Sequence, residues 1–152
     1  MTGVQTCALP ILPHFLTEHP IVGVKVLDFA GSKLSVKGST FTRRLYQPFH
    51  QLQPLYRRKK VALLVEGEPD CWSAHKAYGV GMDVFALPSG AGSWKPAFAD
   101  ELAGYEHVAV CFDNDEAGRK ARDDVRFTLG DRMVDWPVPA PHNDLTEWLG
   151  AK

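Results

Sequence analysis

Two short apolar runs constrain this chain more than any other feature of it. Val61-Ala62-Leu63-Leu64-Val65 and His107-Val108-Ala109-Val110-Cys111-Phe112 contain no Asp, Glu, Lys or Arg. A strand with one wet face alternates polar and apolar residues, whereas an unbroken run marks a strand covered on both faces. Strands of that kind belong to parallel sheets with helices packed above and below. Each run also stops in acid. Glu66-Gly67-Glu68-Pro69-Asp70 follows the first and Asp113-Asn114-Asp115 the second. Ligands of such sheets bind beyond the carboxyl ends of the strands, so the same two runs predict where chemistry is placed.

The flanking pattern extends this α/β reading. A helix is expected from about Pro69 to Tyr78, with proline tolerated in its first turn. A short strand over Val84–Leu87 leads to the glycine-rich loop Pro88–Ser93. Trp94 to Leu102 reads as helix, and Glu116 to Leu129 as a longer one with an apolar face at Ala117, Ala121, Val125 and Leu129. Met133-Val134 is a fourth candidate strand and Asp144 to Leu149 a last short helix. Alternation of β and α units predicts a mostly parallel sheet flanked by helices. Upstream the rhythm differs. Ile21–Phe29, Leu34–Val36 and Phe41–Tyr46 read as short antiparallel strands separated by Gly/Ser turns, a small β segment preceding the sheet.

Charge divides the chain in the same place. Residues 12–60 carry nine Lys/Arg against two Asp/Glu, a surplus of +7, and residues 61–152 carry eight against sixteen, a deficit of −8. Half the chain therefore suits polyanions and half suits cations. No apolar stretch reaches the roughly 18–20 residues that span a bilayer. The three cysteines, Cys7, Cys71 and Cys111, form no C-x-x-C pair. A disulfide scaffold and a zinc ribbon are thus not expected, and a reducing cytoplasm is the natural compartment. Cys71 and Cys111 read as small core residues, and Trp72, Trp94 and Trp148 as core anchors.

Three acidic clusters fall where strands end: Glu66 to Asp70, Asp113 and Asp115, and His142-Asn143-Asp144. Asp113 and Asp115 are two apart in an extended segment, so both carboxylates can face one side. With Glu66 opposite, they make an oxygen-rich pocket suited to Mg²⁺ or Mn²⁺. Taken singly, each cluster is equally explained by helix capping and the helix dipole. His142 lies close enough in sequence to be a candidate contact, and Glu68 reads as a solvated neighbour.

The motifs V-E-G-E-P-D (Val65–Asp70), F-D-N-D-E-A-G-R (Phe112–Arg119) and N-D-L-T-E-W-L (Asn143–Leu149) resemble those of the Toprim domain. That family includes DnaG-type primases, phage primase-helicases, topoisomerases, OLD-type nucleases and RecR-type recombination proteins. The resemblance covers roughly Arg57 to Leu149 and is greatest to the phage and plasmid primases. It implies a Toprim-like fold, with Glu66 as the catalytic general acid/base. It implies Asp113 and Asp115 as the metal-binding pair, with Asp70 and Asp144 completing the Mg²⁺ or Mn²⁺ site. Asn143 departs from primases that have two aspartates in the last motif, which leaves open whether one metal or two are held. In DnaG-type primases a basic subdomain precedes this one, and Lys33, Lys37, Arg43 and Arg44 resemble its end, a surface for template and nucleotide phosphates.

Residues 1–11 (MTGVQTCALPI) resemble a translated sequencing adapter. The domain expectation is therefore a non-native segment at 1–11, the remnant of a basic β-rich subdomain at 12–56 and a Toprim domain at 57–152, together the downstream part of a longer protein. The function implied is DNA primase: RNA primers made from nucleoside triphosphates on a single-stranded DNA template, beside a replicative helicase and with no membrane. Two alternatives stay open, an OLD-type metal-dependent nuclease and a non-catalytic nucleic-acid-binding module.

Overall fold

The structure is a computed structural model that describes residues 9–15, 21–27, 33–41, 44–48, 51 and 56–150. It divides into two units, residues 1–43 and 44–152.

The first unit holds an antiparallel sheet of β1 (Leu9–Phe15), β2 (Ile21–Leu27) and β3 (Lys33–Ser35), with β2 in the middle. The β1 strand begins inside the segment expected to be non-native, where Leu9 pairs with Leu27 and the register is irregular up to Leu12. Its two prolines, Pro10 and Pro13, are tolerated because β1 is an edge strand with one row of backbone groups facing no partner. The expected strand over Phe41–Tyr46 is reduced, among the described residues, to a single antiparallel bridge. There Tyr46 exchanges backbone hydrogen bonds of 2.9 and 2.8 Å with Ala86, both within the second unit.

The second unit is the predicted parallel sheet. Its strands are β4 (Val61–Val65), β5 (Asp83–Ala86), β6 (His107–Cys111) and β7 (Met133–Asp135), in the order β5-β4-β6-β7. Helix α1 (Glu68–Tyr78) links β4 to β5, and the short α2 (Phe98–Glu101) precedes β6. Helix α3 (Glu116–Leu129) links β6 to β7, and α4 (Leu145–Gly150) closes the described chain. The unbroken apolar runs are explained by what covers them. Ala62 and Leu64 of β4 face one core with Val108 and Val110 of β6, beneath Ala121, Val125 and Leu129 of α3. Leu63 and Val65 face the other, with Ala109 and Cys111, beneath Cys71 and Ala74 of α1 and Leu145 of α4. Every side chain of the run from Ala62 to Val65 is fully buried, so none could be polar without losing its water uncompensated.

Helix α2 is shorter than the expected Trp94–Leu102. Ala91–Ser93 forms a 3₁₀ turn and the helix starts at Phe98, because proline at 96 pushes the residue before it out of the helical region. No helix among the described residues is long and apolar enough to cross a membrane. The chain leaves β4 toward β5 on one side and returns to β6 on the other. The carboxyl ends of β4 and β6 therefore flank the switch point where α/β sheets open a crevice.

Candidate active site

Glu66 is the first residue past β4 and Asp113 lies two past the end of β6, so adjacent parallel strands deliver both to one end of the sheet. The Glu66 carboxylate sits between two backbone donors. Ala91 N–H donates to its Oε1 at 3.3 Å, and Asp113 N–H to its Oε2 at 3.4 Å. It thereby joins three segments: the end of β4, the loop after β5 and the end of β6. Gly90 makes this approach possible. It adopts φ +77°, a left-handed conformation that residues other than glycine rarely take, so its backbone path past Glu66 depends on glycine.

Burial raises the pKa of Glu66 above the ordinary glutamate value, and the two backbone donors partly offset it. Asp113 is pushed further, to about 7. Burial is the main cause, followed by the charges of Glu66, Asp70, Asp144 and Asp115. Five carboxylates are therefore close enough to feel one another at one sheet end, which joins the three acidic clusters seen in the sequence.

Their side chains are not equally open. Asp115 caps α3, its Oδ1 accepting from Gly118 N–H at 2.7 Å. Asp144 does the same for α4, accepting from Glu147 N–H at 2.6 Å. Asp70 is buried, and its Oδ1 accepts from both the backbone and the hydroxyl of Thr146, at 3.1 and 2.7 Å. Capping and site membership thus coincide in the same residues. Gly118 is required here, because a Cβ would fall well inside contact of the Asp113 carbonyl oxygen and 3.0 Å from its backbone N and C. Asn114 positions the last segment. Its side-chain amide donates to the carbonyls of Val138 and His142, at 3.0 and 2.8 Å, and its N–H donates to Asn143 O at 2.8 Å.

Sequence reasoning missed the role of Asn114 because a bridging amide leaves no spacing pattern. It also misplaced Glu68, which is 2% exposed rather than solvated, since the first turn of α1 packs inward from the sheet. His142 joins this segment through its carbonyl, while its ring stands 3.8 Å from Glu147. Cys71 and Cys111 are buried and free, as expected of core residues. Of the basic residues, Lys37 is exposed in the first unit and Lys33 begins β3. Arg43 lies outside the described residues. Arg44 belongs to the second unit and lines a cleft of about 330 Å³ with Arg58 and Glu101.

The donor set is all carboxylate oxygen, the chemistry of a hard divalent cation. The resistance of Glu66 and Asp113 to ionisation is what such a charge would relieve. In type and number the residues fit Mg²⁺ or Mn²⁺. Among the described residues, however, no three His, Cys, Asp or Glu side chains are already gathered closely enough to enclose an ion.

Comparison with known proteins bears on the fold and the family. No curated protein matches the sequence. Among solved structures, the primase fragment of the bacteriophage T7 primase-helicase superposes with a TM-score of 0.73 at 22% identity, over 90% of this chain and 56% of that one. The primase of Aquifex aeolicus, comprising zinc-binding and RNA polymerase domains, superposes with a TM-score of 0.67 at 18% identity, over 93% of this chain and 36% of that one. This chain therefore spans little more than half of the phage fragment and about a third of the bacterial one. At such identities the likeness is one of fold. The profile of the Toprim-like family matches residues 63–148, which contain every acidic residue described above. With more than half its length matched, the chain belongs to the Toprim-like family.

Proposed function

We propose that this chain is the catalytic Toprim part of a DNA primase, joining nucleotides into an RNA primer on single-stranded DNA. The observation that carries the reading is the Glu66 carboxylate, held by Ala91 and Asp113 N–H groups in the midst of four aspartates. The two primase folds that superpose on the chain support it.

In primer extension a 3′-hydroxyl attacks the α-phosphorus of a nucleoside triphosphate. A new P–O bond forms, pyrophosphate leaves and the hydroxyl proton must go to a base. Glu66 is suited to take that proton. Its two backbone donors orient it, and burial makes it a stronger base than a solvated glutamate. Asp113 and Asp115, with Asp70 and Asp144 behind them, would hold Mg²⁺ or Mn²⁺. The cation would supply charge stabilisation at the phosphoryl oxygens and acidify the hydroxyl. Gly118 lets the α3 terminus approach the Asp113 backbone closely and so fixes the spacing of the two aspartates. Lys33, Lys37, Arg43 and Arg44 are assigned to the phosphates of template and nucleotide, contacts that position without reading sequence. The partners that follow are a DNA template, nucleoside triphosphates and a replicative helicase, in the cytoplasm.

Glu66→Gln tests the reading in the full gene product supplied with single-stranded DNA, nucleoside triphosphates and Mn²⁺. It keeps the shape of the side chain and removes the ionisable group. Primer synthesis is expected to fall by ~10²-fold or more while DNA binding persists. Synthesis at the parent rate removes Glu66 from the mechanism. Loss of DNA without any need for nucleotides makes the protein a nuclease, and binding without turnover makes it a binding module.

A further inference from the structure

Beside Glu66 lies a cleft that the mechanism above leaves unused. It measures about 310 Å³ and runs between the loop after β5 and one face of α3. Trp94 lines it together with Ala117, Lys120, Ala121 and Asp124 of α3. The sequence places Ala117 on the apolar face of α3, yet it is exposed while Ala121, Val125 and Leu129 are buried. The structure thus leaves one apolar position of that face uncovered, and it opens on this cleft.

We infer that the cleft receives the base of the incoming nucleoside triphosphate, with Trp94 as its stacking wall. The inference rests on the primer-synthesis reading. The indole is a fixed platform: its Nε1 donates to Thr128 Oγ1 at 3.2 Å and its ring meets Phe98 edge-on at 5.9 Å. A flat base laid against an indole gains stacking that every base can supply. Lys120 and Asp124 set a donor and an acceptor one helical turn apart, which suits the polar edge of a base. The volume is at the lower bound of small-molecule sites, roughly 300–1,000 Å³, so it suits one nucleoside rather than a strand. Position supports this further. Ala91, also in the cleft wall, donates its N–H to Glu66, so a base held here keeps its triphosphate next to the acidic end of the sheet.

Gly92 offers a clean test, because a Cβ there meets nothing within 4 Å and Gly92 lines the cleft. Gly92→Leu adds a branched side chain to the cleft lining at a position where its Cβ meets no neighbour. The full chain, with Mg²⁺, is titrated with ATP, with tripolyphosphate and with a single-stranded oligonucleotide, by calorimetry and by tryptophan fluorescence. ATP is expected to quench the parent and not Trp94→Phe. Gly92→Leu is expected to weaken ATP by about tenfold, the range of one base–aromatic stack, while tripolyphosphate and oligonucleotide affinities hold. Parent affinity for ATP in Gly92→Leu overturns the inference and leaves the primase reading standing. Quenching by the oligonucleotide but not by ATP also overturns it. A parent that binds neither ATP nor tripolyphosphate removes both.

Discussion

A carboxylate half withdrawn from water and faced by four others resists ionisation, and these causes hold Asp113 near pH 7. The consequence for stability has a definite sign. Between the ordinary aspartate range near pH 4 and pH 7, the folded chain keeps a proton that the unfolded chain has released. Raising pH through that window therefore disfavours the folded state, and above it the penalty is complete and constant. Asp113 is half-open to solvent, so the penalty is smaller than the full shift implies. Without added metal, Asp113→Asn is expected to have a higher urea midpoint than the parent at pH 8, with the gap narrowing toward pH 4. A variant no more stable than the parent at pH 8 contradicts the raised pKa of Asp113 and the burial and neighbouring charges that cause it. The residues of this cluster were legible only through the coincidence of three acidic groups, since each alone reads equally as a helix cap, whereas the inward turn of Glu68 depends on packing that no local pattern encodes.

Helix α3 matched its expected limits, Glu116 to Leu129, because each local signal agreed. Asp115 supplies the cap, Gly130 with φ +56° ends the helix, and apolar residues recur at helical spacing between them. Strand β4 was equally legible, since a charge-free run of five has one place in an α/β sheet. Helix α2 was not, because the effect of Pro96 on the residue before it outweighed the apolar pattern. Strand β1 was not legible, because its first three residues fell in the segment read as non-native and Pro10 and Pro13 break the strand pattern of the rest. Gly118 ties α3 to the site, and Gly118→Ala is expected to cost about 1–3 kcal/mol by driving a methyl into the Asp113 backbone. Urea unfolding checks this: an unchanged midpoint would mean the turn between β6 and α3 yields without cost, and that the glycine does not fix the aspartate spacing.

Charge divides the chain at residue 61, within the second unit, with the basic surplus before it and the acidic surplus after it. The shape of the sheet gathers part of that acidity at the ends of β4 and β6. That the whole acidic surplus attracts cations loosely is expected of any such surface. The central claim is narrower: Glu66, Asp113, Asp115, Asp70 and Asp144 form one cation-dependent site. Calorimetric titration of the chain with Mn²⁺ tests it against Asp113→Asn, Asp115→Asn and the control Asp123→Asn, an exposed residue on the outer part of α3. Saturable binding in the parent and the control, and its loss in both site variants, is the expected result. Binding of equal strength in all four proteins, or none in the parent, would contradict it.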